Sequence, residues 1–180
     1  MRPRARFIAL FAAGILGGLG YLWHTTSGLH TSPDISLLTV DGRTLPLATL
    51  RGRPLLVTFW ATTCTSCVRE IPHLVELYQE LSPRGLEIIG IAMHHDPPDQ
   101  VLAMRRARNI PYPVALDLQA DAARAFGNVR VTPTSFLIAP DGRIVYRRTG
   151  ALDMARLRQA ILHMLPQEQT GRPAVADGQT

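Results

Sequence analysis

The stretch FWATTCTSCVREIP, residues 59–72, contains both cysteines of the 180-residue chain, Cys64 and Cys67. It follows directly from an apolar run, PLLVTFW at residues 54–60, which predicts a strand buried on both faces. After the first cysteine, apolar residues recur with helical spacing, which predicts a helix over about residues 64–81. These apolar residues are Val68, Ile71, Leu74, Val75, Tyr78 and Leu81. The two cysteines are therefore expected where a buried strand passes into the first turn of a helix.

Two cysteines in this position have the chemistry of a redox pair. Residues i and i+3 share one helix face, close enough for a disulfide, and the partial positive charge of a helix N-terminus stabilises a thiolate. We expect Cys64 to be the exposed, attacking thiol and Cys67 to resolve the mixed disulfide. A structural disulfide and a two-thiolate metal clip are the alternatives, although a bridge across so short a loop gives little stabilisation.

Length and composition bound the remaining function classes. A chain of 180 residues with 46% hydrophobic and 18% charged residues is long and apolar enough for one folded domain with a core. The net charge is +5, and three of the 19 basic residues lie within the first six positions. The rest of the chain is nearly balanced, so no nucleic-acid partner is expected.

The N-terminal segment has the pattern of a membrane anchor. Residues 7–23 carry no charge and match the short end of the roughly 17–25 residues that span a bilayer. Arginines precede this run and aromatic rings close it, which predicts a single-pass anchor over residues 1–24 with the rest of the chain outside the cytoplasm. A cleaved signal peptide and a buried core helix are the alternatives. Residues 25–33 are predicted to be a polar linker.

The rest of the chain alternates between strand and helix patterns. A hairpin is predicted around Asp41-Gly42, and another around Asp141-Gly142. Further strands are predicted near residues 86–93, 113–116, 135–139 and 143–148, and helices near residues 99–108, 120–126 and 153–165. This order predicts an α/β domain over residues 34–165, with a mixed central sheet and helices on both faces. Residues 166–180 are predicted to be a flexible polar tail.

Over residues 34–165 these motifs resemble the thioredoxin superfamily, specifically its membrane-anchored TlpA/ResA-like branch. FWATTCTSC is similar to the family's aromatic strand end and C-x-x-C motif, and Pro72 lies where the family's active-site helix is kinked. VTPTSFLI at residues 131–138 is similar to the family's cis-proline strand. The resemblance implies a thioredoxin-like fold with an N-terminal transmembrane helix, and a cis Thr132–Pro133 bond that faces the cysteines.

The chain departs from the family pattern at two positions near the cysteines. Thr63 stands where the family most often has tryptophan, and Thr58 stands where thioredoxins carry a buried aspartate. The resemblance implies that Glu70, on the helix stripe of Cys67, is an active-site residue; a solvated surface carboxylate is the alternative. Trp60 is expected in the core beneath the helix, with a substrate contact as its second role. The residues implied in substrate binding are Trp60, Thr63, Thr132 and Pro133.

The sequence therefore predicts a thiol–disulfide oxidoreductase without cofactor or metal, in the periplasm and anchored to the bacterial inner membrane. The Thr65-Ser66 pair lacks the histidine of a strong DsbA-type oxidant, which favours a reductase. The resemblance implies protein disulfide substrates, such as apocytochrome c or copper-site proteins, and a membrane electron donor of the DsbD/CcdA type. A copper(I) chaperone or a non-catalytic thioredoxin-fold adaptor that uses the same cysteines is the alternative.

Overall fold

Seven strands form one mixed sheet in the computed structural model, which describes residues 31–166. The sheet order is β2-β1-β5-β4-β3-β6-β7, where β4 pairs in parallel with β3 and β5, and the other neighbours are antiparallel. The strands are β1 (Ser36–Thr39), β2 (Thr44–Pro46), β3 (Leu55–Trp60), β4 (Glu87–Ala92), β5 (Val114–Leu116), β6 (Thr134–Ile138) and β7 (Ile144–Thr149).

Four α-helices accompany the sheet in the described part of the chain. They are α1 (Thr65–Leu81), α2 (Pro98–Ala107), α3 (Asp121–Ala125) and α4 (Met154–Met164), and short 3₁₀ turns cover Leu47–Leu50 and Ser82–Arg84. Each helix predicted after residue 34 is present, with ends within about two residues of the predicted ones, the usual uncertainty of a helix boundary.

The centre of the sheet explains why the run before the cysteines is continuously apolar. All six residues of β3 are buried, because β4 and β6 flank the strand and helices cover both faces of the sheet. Since β3 and β4 run in parallel, their carboxyl ends meet at one edge of the sheet. The turn that enters α1 and the loop that follows β4 therefore lie next to each other.

Two apolar cores lie on opposite faces of the sheet. On one face, side chains of α1, α2 and α4 pack with Leu56 and Trp60. On the other face, Phe126, which follows α3, packs against Phe59 with ring centroids 5.5 Å apart, and Phe136 lies 6.1 Å from Phe59. Edge-on aromatic pairs of this kind stabilise beyond the area that they bury. The helices therefore cover both faces, as predicted.

The domain begins slightly before its predicted first residue. Thr31 forms an isolated β-bridge with Arg143, and the Ser32 N–H donates to the Gly142 carbonyl at 2.8 Å. The last residues of the predicted linker thus pair with the hairpin between β6 and β7. The predicted anchor and the tail beyond Pro166 lie outside the described residues. Among residues 31–166, no helix has the length and apolar character needed to cross a bilayer.

Candidate active site

Cys64 and Cys67 form a disulfide at the start of α1, with an S–S distance of 2.05 Å. Cys64 is the N-cap of this helix, and its sulfur accepts a hydrogen bond from the Cys67 N–H at 3.2 Å. After reduction, the same N–H is in place to stabilise a thiolate on Cys64. Cys64 is half-buried, whereas Cys67 is only 3% exposed. The more accessible cysteine is therefore the one that the sequence predicted to attack.

The predicted cis proline lies beside the buried sulfur. The Thr132–Pro133 peptide bond is cis, and Pro133 lines a small cavity together with Cys67. The Pro133 carbonyl accepts a hydrogen bond from the Gly150 N–H at 2.8 Å, which fixes the loop before β6 to the end of β7. Thr132, which directly precedes the cis proline, is half-buried.

Glu70 is buried, so the interpretation as a solvated surface carboxylate is wrong. Only 7% of the residue is exposed, and its Oε1 accepts a hydrogen bond from the Leu152 N–H at 2.7 Å. Burial raises the pKa of the Glu70 carboxyl above its usual value, while the Leu152 hydrogen bond and the nearby His73 partly oppose this shift. A carboxyl with a raised pKa beside a redox-active cysteine is suited to accepting and returning a proton.

Replacing Glu70 by glutamine is expected to raise the free energy of unfolding at neutral and alkaline pH. Because folding raises the pKa of this carboxyl, its contribution to stability is fully present below the unfolded pKa and is lost as pH rises through the folded pKa. Glutamine stays neutral and keeps an oxygen for the Leu152 N–H. Denaturant unfolding of the oxidised wild type and Glu70→Gln, between about pH 4 and about pH 8, measures the difference.

The matched control for this comparison is Glu76→Gln, since Glu76 lies on the same helix with its side chain exposed. In this control we expect no pH-dependent gain in the free energy of unfolding. If Glu70→Gln raised the free energy of unfolding by the same amount at every pH, the result would contradict the raised pKa of Glu70.

Glu70 and Cys67 line one small cavity, of about 10 Å³, roughly the volume that one water molecule requires. Tyr112, which precedes β5, also lines this cavity; burial and the charge of Glu70 raise the pKa of its phenol. Gly90 of β4 leaves the necessary space, since a Cβ there would lie 3.1 Å from Nε1 of Trp60. Sequence reasoning missed Tyr112, because nothing in the pattern PYPVAL distinguishes it from a core residue.

Thr58 does not replace the aspartate that thioredoxins carry at this position. Its hydroxyl is buried and accepts a hydrogen bond from the Ser135 hydroxyl at 2.9 Å, which links β3 to β6. Thr58 also lines the cavity beside Cys67, but a hydroxyl does not ionise near neutral pH. Among the residues that line the cavity, only Glu70 has a carboxylate side chain.

The residues implied in substrate binding differ in accessibility. Trp60 is 5% exposed and packs in the core beneath α1, in agreement with its predicted core position. Thr63 is exposed immediately before Cys64, and Thr132 is half-buried. Contacts of these residues with a substrate stay predictions. Within residues 31–166, no group of three or more His, Cys, Asp or Glu side chains is arranged to hold a metal ion.

A mixed sheet flanked by helices, with a Cys-x-x-Cys disulfide at a helix N-terminus and a cis proline beside it, defines a thioredoxin-fold protein of the thiol–disulfide oxidoreductase class. The sequence pattern of the AhpC/TSA family matches residues 30–147, and the chain belongs to this family.

Named relatives agree with this class. The chain is 30% identical over 136 residues to the thiol-disulfide oxidoreductase ResA of Geobacillus thermodenitrificans, covering 76% of this chain and 77% of the relative. It is 26% identical to ResA of Bacillus subtilis, covering 78% and 77% of the two chains. A crystal structure of a thioredoxin-family thiol:disulfide interchange protein from Chlorobium tepidum superposes with a TM-score of 0.69 at 29% identity, covering 77% of this chain and 97% of that one. The chain is therefore a thiol–disulfide oxidoreductase.

Proposed function

We propose that this oxidoreductase works as a reductase of disulfides in partner proteins outside the cytoplasm. The observation that carries the proposal is the arrangement of the two sulfurs: the half-buried Cys64 lies at the helix N-terminus, and Cys67 is enclosed with Glu70 in one cavity. This asymmetry lets a substrate disulfide reach one sulfur while the other stays protected from solvent.

In the proposed reaction, the Cys64 thiolate attacks one sulfur of the substrate disulfide. A mixed disulfide forms, and the first substrate cysteine leaves as a thiolate that takes up a proton. The Cys67 thiolate then attacks the Cys64 sulfur, which forms the Cys64–Cys67 bond seen in the structure and releases the second substrate cysteine. Two electrons pass from the chain to the substrate, which leaves with both cysteines reduced.

Glu70 is the proposed acceptor of the proton that Cys67 loses in the second step. Cys67 is enclosed, so solvent reaches its thiol poorly, and the Glu70 carboxyl lines the same cavity. A raised pKa brings a carboxyl closer to the pKa of a thiol, which improves the match between proton donor and acceptor.

The substrate chain is proposed to lie across the surface formed by Thr63, Val131 and Thr132. Val131 is 58% exposed, more than Leu38, Leu118 or Val145, and it lies two residues before the cis proline. Thr63 is exposed immediately before Cys64. In this proposal Val131 offers the substrate chain an apolar contact, and Thr132 offers it a backbone group.

Localisation and electron supply follow from the chemistry as part of the same proposal. In an oxidising compartment a reductase needs reducing equivalents from across the membrane. We propose that residues 7–23 anchor the chain in a bacterial inner membrane with the domain in the periplasm, and that a DsbD/CcdA-type carrier reduces Cys64–Cys67. Apocytochrome c and copper-site proteins are the proposed substrates, because they need reduced cysteines outside the cytoplasm.

The redox state of Cys64 and Cys67 in growing cells tests the proposed direction. Acid quenching followed by alkylation with a mass-tagged reagent traps the thiols that are reduced at that moment. We expect the chain to be predominantly reduced, and to become oxidised when the membrane electron carrier is deleted. A chain that is fully oxidised in cells with an intact carrier would contradict a reductase and indicate a disulfide donor.

A further inference from the structure

The turn that leads from β3 into α1 is held by a side chain from another loop. This turn, residues 61–63, connects Trp60 to Cys64. At its middle, the Thr62 N–H donates to Oδ2 of Asp96 at 2.7 Å, and the Thr62 hydroxyl donates to Oδ1 at 2.5 Å. Asp96 is only 4% exposed, so both hydrogen bonds to this carboxylate are largely shielded from water.

The loop that carries Asp96 is itself hydrogen-bonded to the end of β3. The Met93 N–H donates to the Trp60 carbonyl at 3.0 Å, and the Asp96 N–H donates to the Met93 carbonyl at 2.9 Å. The Thr62 hydroxyl also lies 3.5 Å from Oε1 of Gln100, too far to compete with the bond to Asp96. The carboxylate therefore reaches Thr62 from a hydrogen-bonded turn.

We propose that Asp96 is a positioning residue for thiol–disulfide exchange, acting on Cys64 through Thr62. The Cys64 N–H donates to the Ala61 carbonyl at 3.1 Å, so the segment that Asp96 holds is the one from which Cys64 projects. The two bonds to Thr62, here called the Asp96 clamp, fix the backbone two residues before the reacting sulfur. The inference depends on exchange at Cys64–Cys67; it does not depend on the direction of electron flow or on the role of Glu70.

The clamp has a measurable consequence for disulfide formation. When the reduced chain reacts with one glutathione disulfide, the Cys64–Cys67 bond forms and the glutathione S–S bond breaks. The two cysteine protons pass to the two glutathione thiolates that leave, so atoms and electrons balance. If the clamp holds Cys64 near Cys67 in the reduced chain, closing the disulfide loses less conformational freedom. The equilibrium constant of this reaction therefore reports how well the clamp positions Cys64.

The test is equilibration of the purified full-length chain with glutathione buffers, comparing wild type, Asp96→Ala and Asp96→Asn. We expect Asp96→Ala to lower the equilibrium constant for disulfide formation about tenfold, equivalent to about 30 mV. Asp96→Asn removes the charge but keeps an oxygen for the Thr62 N–H and an amide next to the hydroxyl. It should therefore stay within about threefold of wild type.

Asp117→Ala is the matched control for a purely structural effect. Asp117 is likewise a buried carboxylate, 5% exposed, that accepts two backbone hydrogen bonds, from Ala122 at 2.9 Å and Ala123 at 2.8 Å. Its loss should lower the free energy of unfolding and leave the equilibrium constant unchanged. Two results would overturn the proposal. One is a wild-type equilibrium constant for disulfide formation in Asp96→Ala. The other is an equally large fall of this constant in Asp96→Asn, which would assign the effect to charge alone.

Thr62 keeps the proposal testable should Asp96→Ala fail to fold. Thr62→Val has nearly the shape of threonine but lacks the hydroxyl, whereas Thr62→Ser retains it. We expect the constant to fall about threefold in Thr62→Val and to stay at the wild-type value in Thr62→Ser. Equal equilibrium constants for disulfide formation in Thr62→Val and Thr62→Ser would overturn the proposal. A wild-type chain that does not exchange with glutathione would instead contradict the oxidoreductase activity itself.

Discussion

Replacing Cys64 by serine is expected to lower the rate of thiol–disulfide exchange by more than about 10³-fold. Cys64 is the more accessible cysteine of the pair and caps α1. Serine is also a good N-cap, so the fold should persist, but its hydroxyl does not ionise near neutral pH and cannot attack a disulfide. The measurement is the initial rate at which the reduced variant cleaves a small aromatic disulfide.

Cys67→Ser separates the two roles in the same assay. In Cys67→Ser, the rate of the first attack should stay within about tenfold of wild type, because Cys64 still presents a thiolate. The reaction should then stop at the mixed disulfide, because the resolving thiol is missing. Fast cleavage by Cys64→Ser together with slow first attack by Cys67→Ser would reverse the two assignments.

The second large effect is expected for Glu70→Gln, which should slow the closing step of exchange by about 10²-fold. Glutamine keeps the hydrogen bond from Leu152 but cannot accept the proton of Cys67. Removing the negative charge of Glu70 should also lower the pKa of at least one of the two thiols. Stopped-flow measurement of mixed-disulfide resolution, with the pH profile of Cys64 alkylation, checks both effects.

Glu76→Gln is again the control, since this exposed carboxylate on α1 should change neither quantity. Superimposable alkylation profiles and equal resolution rates for Glu70→Gln and wild type would remove Glu70 from the mechanism. The buried carboxylate would then serve only to fix the segment around Leu152 against α1.

Local patterns were enough to predict most of the fold around the cysteines. The continuous apolar run at residues 54–60 predicted a strand with both faces covered, and β3 is buried at every position. The helical spacing after Cys64 predicted a helix start at this residue, which is the observed N-cap of α1. The cis Thr132–Pro133 bond came from the family resemblance, because no local rule distinguishes a cis from a trans proline.

The buried face of α1 was predicted less accurately. Apolar spacing favoured Val68, Val75 and Tyr78, yet these three side chains are only half-buried, while Glu70 and Leu77 are buried. A periodicity argument assumes that glutamate faces solvent, so it predicts a buried helix face that does not include Glu70. The active site buries the ionisable side chain of Glu70, and functional sites are where rules based on local sequence patterns are expected to fail.

Contacts between distant segments could not be read from the sequence. Asp96 is 34 residues from Thr62, and Glu70 is 82 residues from Leu152, so only the folded sheet and its loops bring these groups together. A lone aspartate in a loop and a lone tyrosine such as Tyr112 carry no spacing signal. Their importance follows from burial and from the groups that they face.

Trapping of mixed disulfides in cells tests the central claim, exchange initiated at Cys64, most directly. Cys67→Ala and Cys64→Ala are expressed in full length, the cells are acid-quenched and alkylated, and adducts are resolved without reductant. Without its resolving thiol, Cys67→Ala is predicted to accumulate proteins bound through Cys64, whereas Cys64→Ala should accumulate none. Adducts on Cys64→Ala with none on Cys67→Ala would contradict the account.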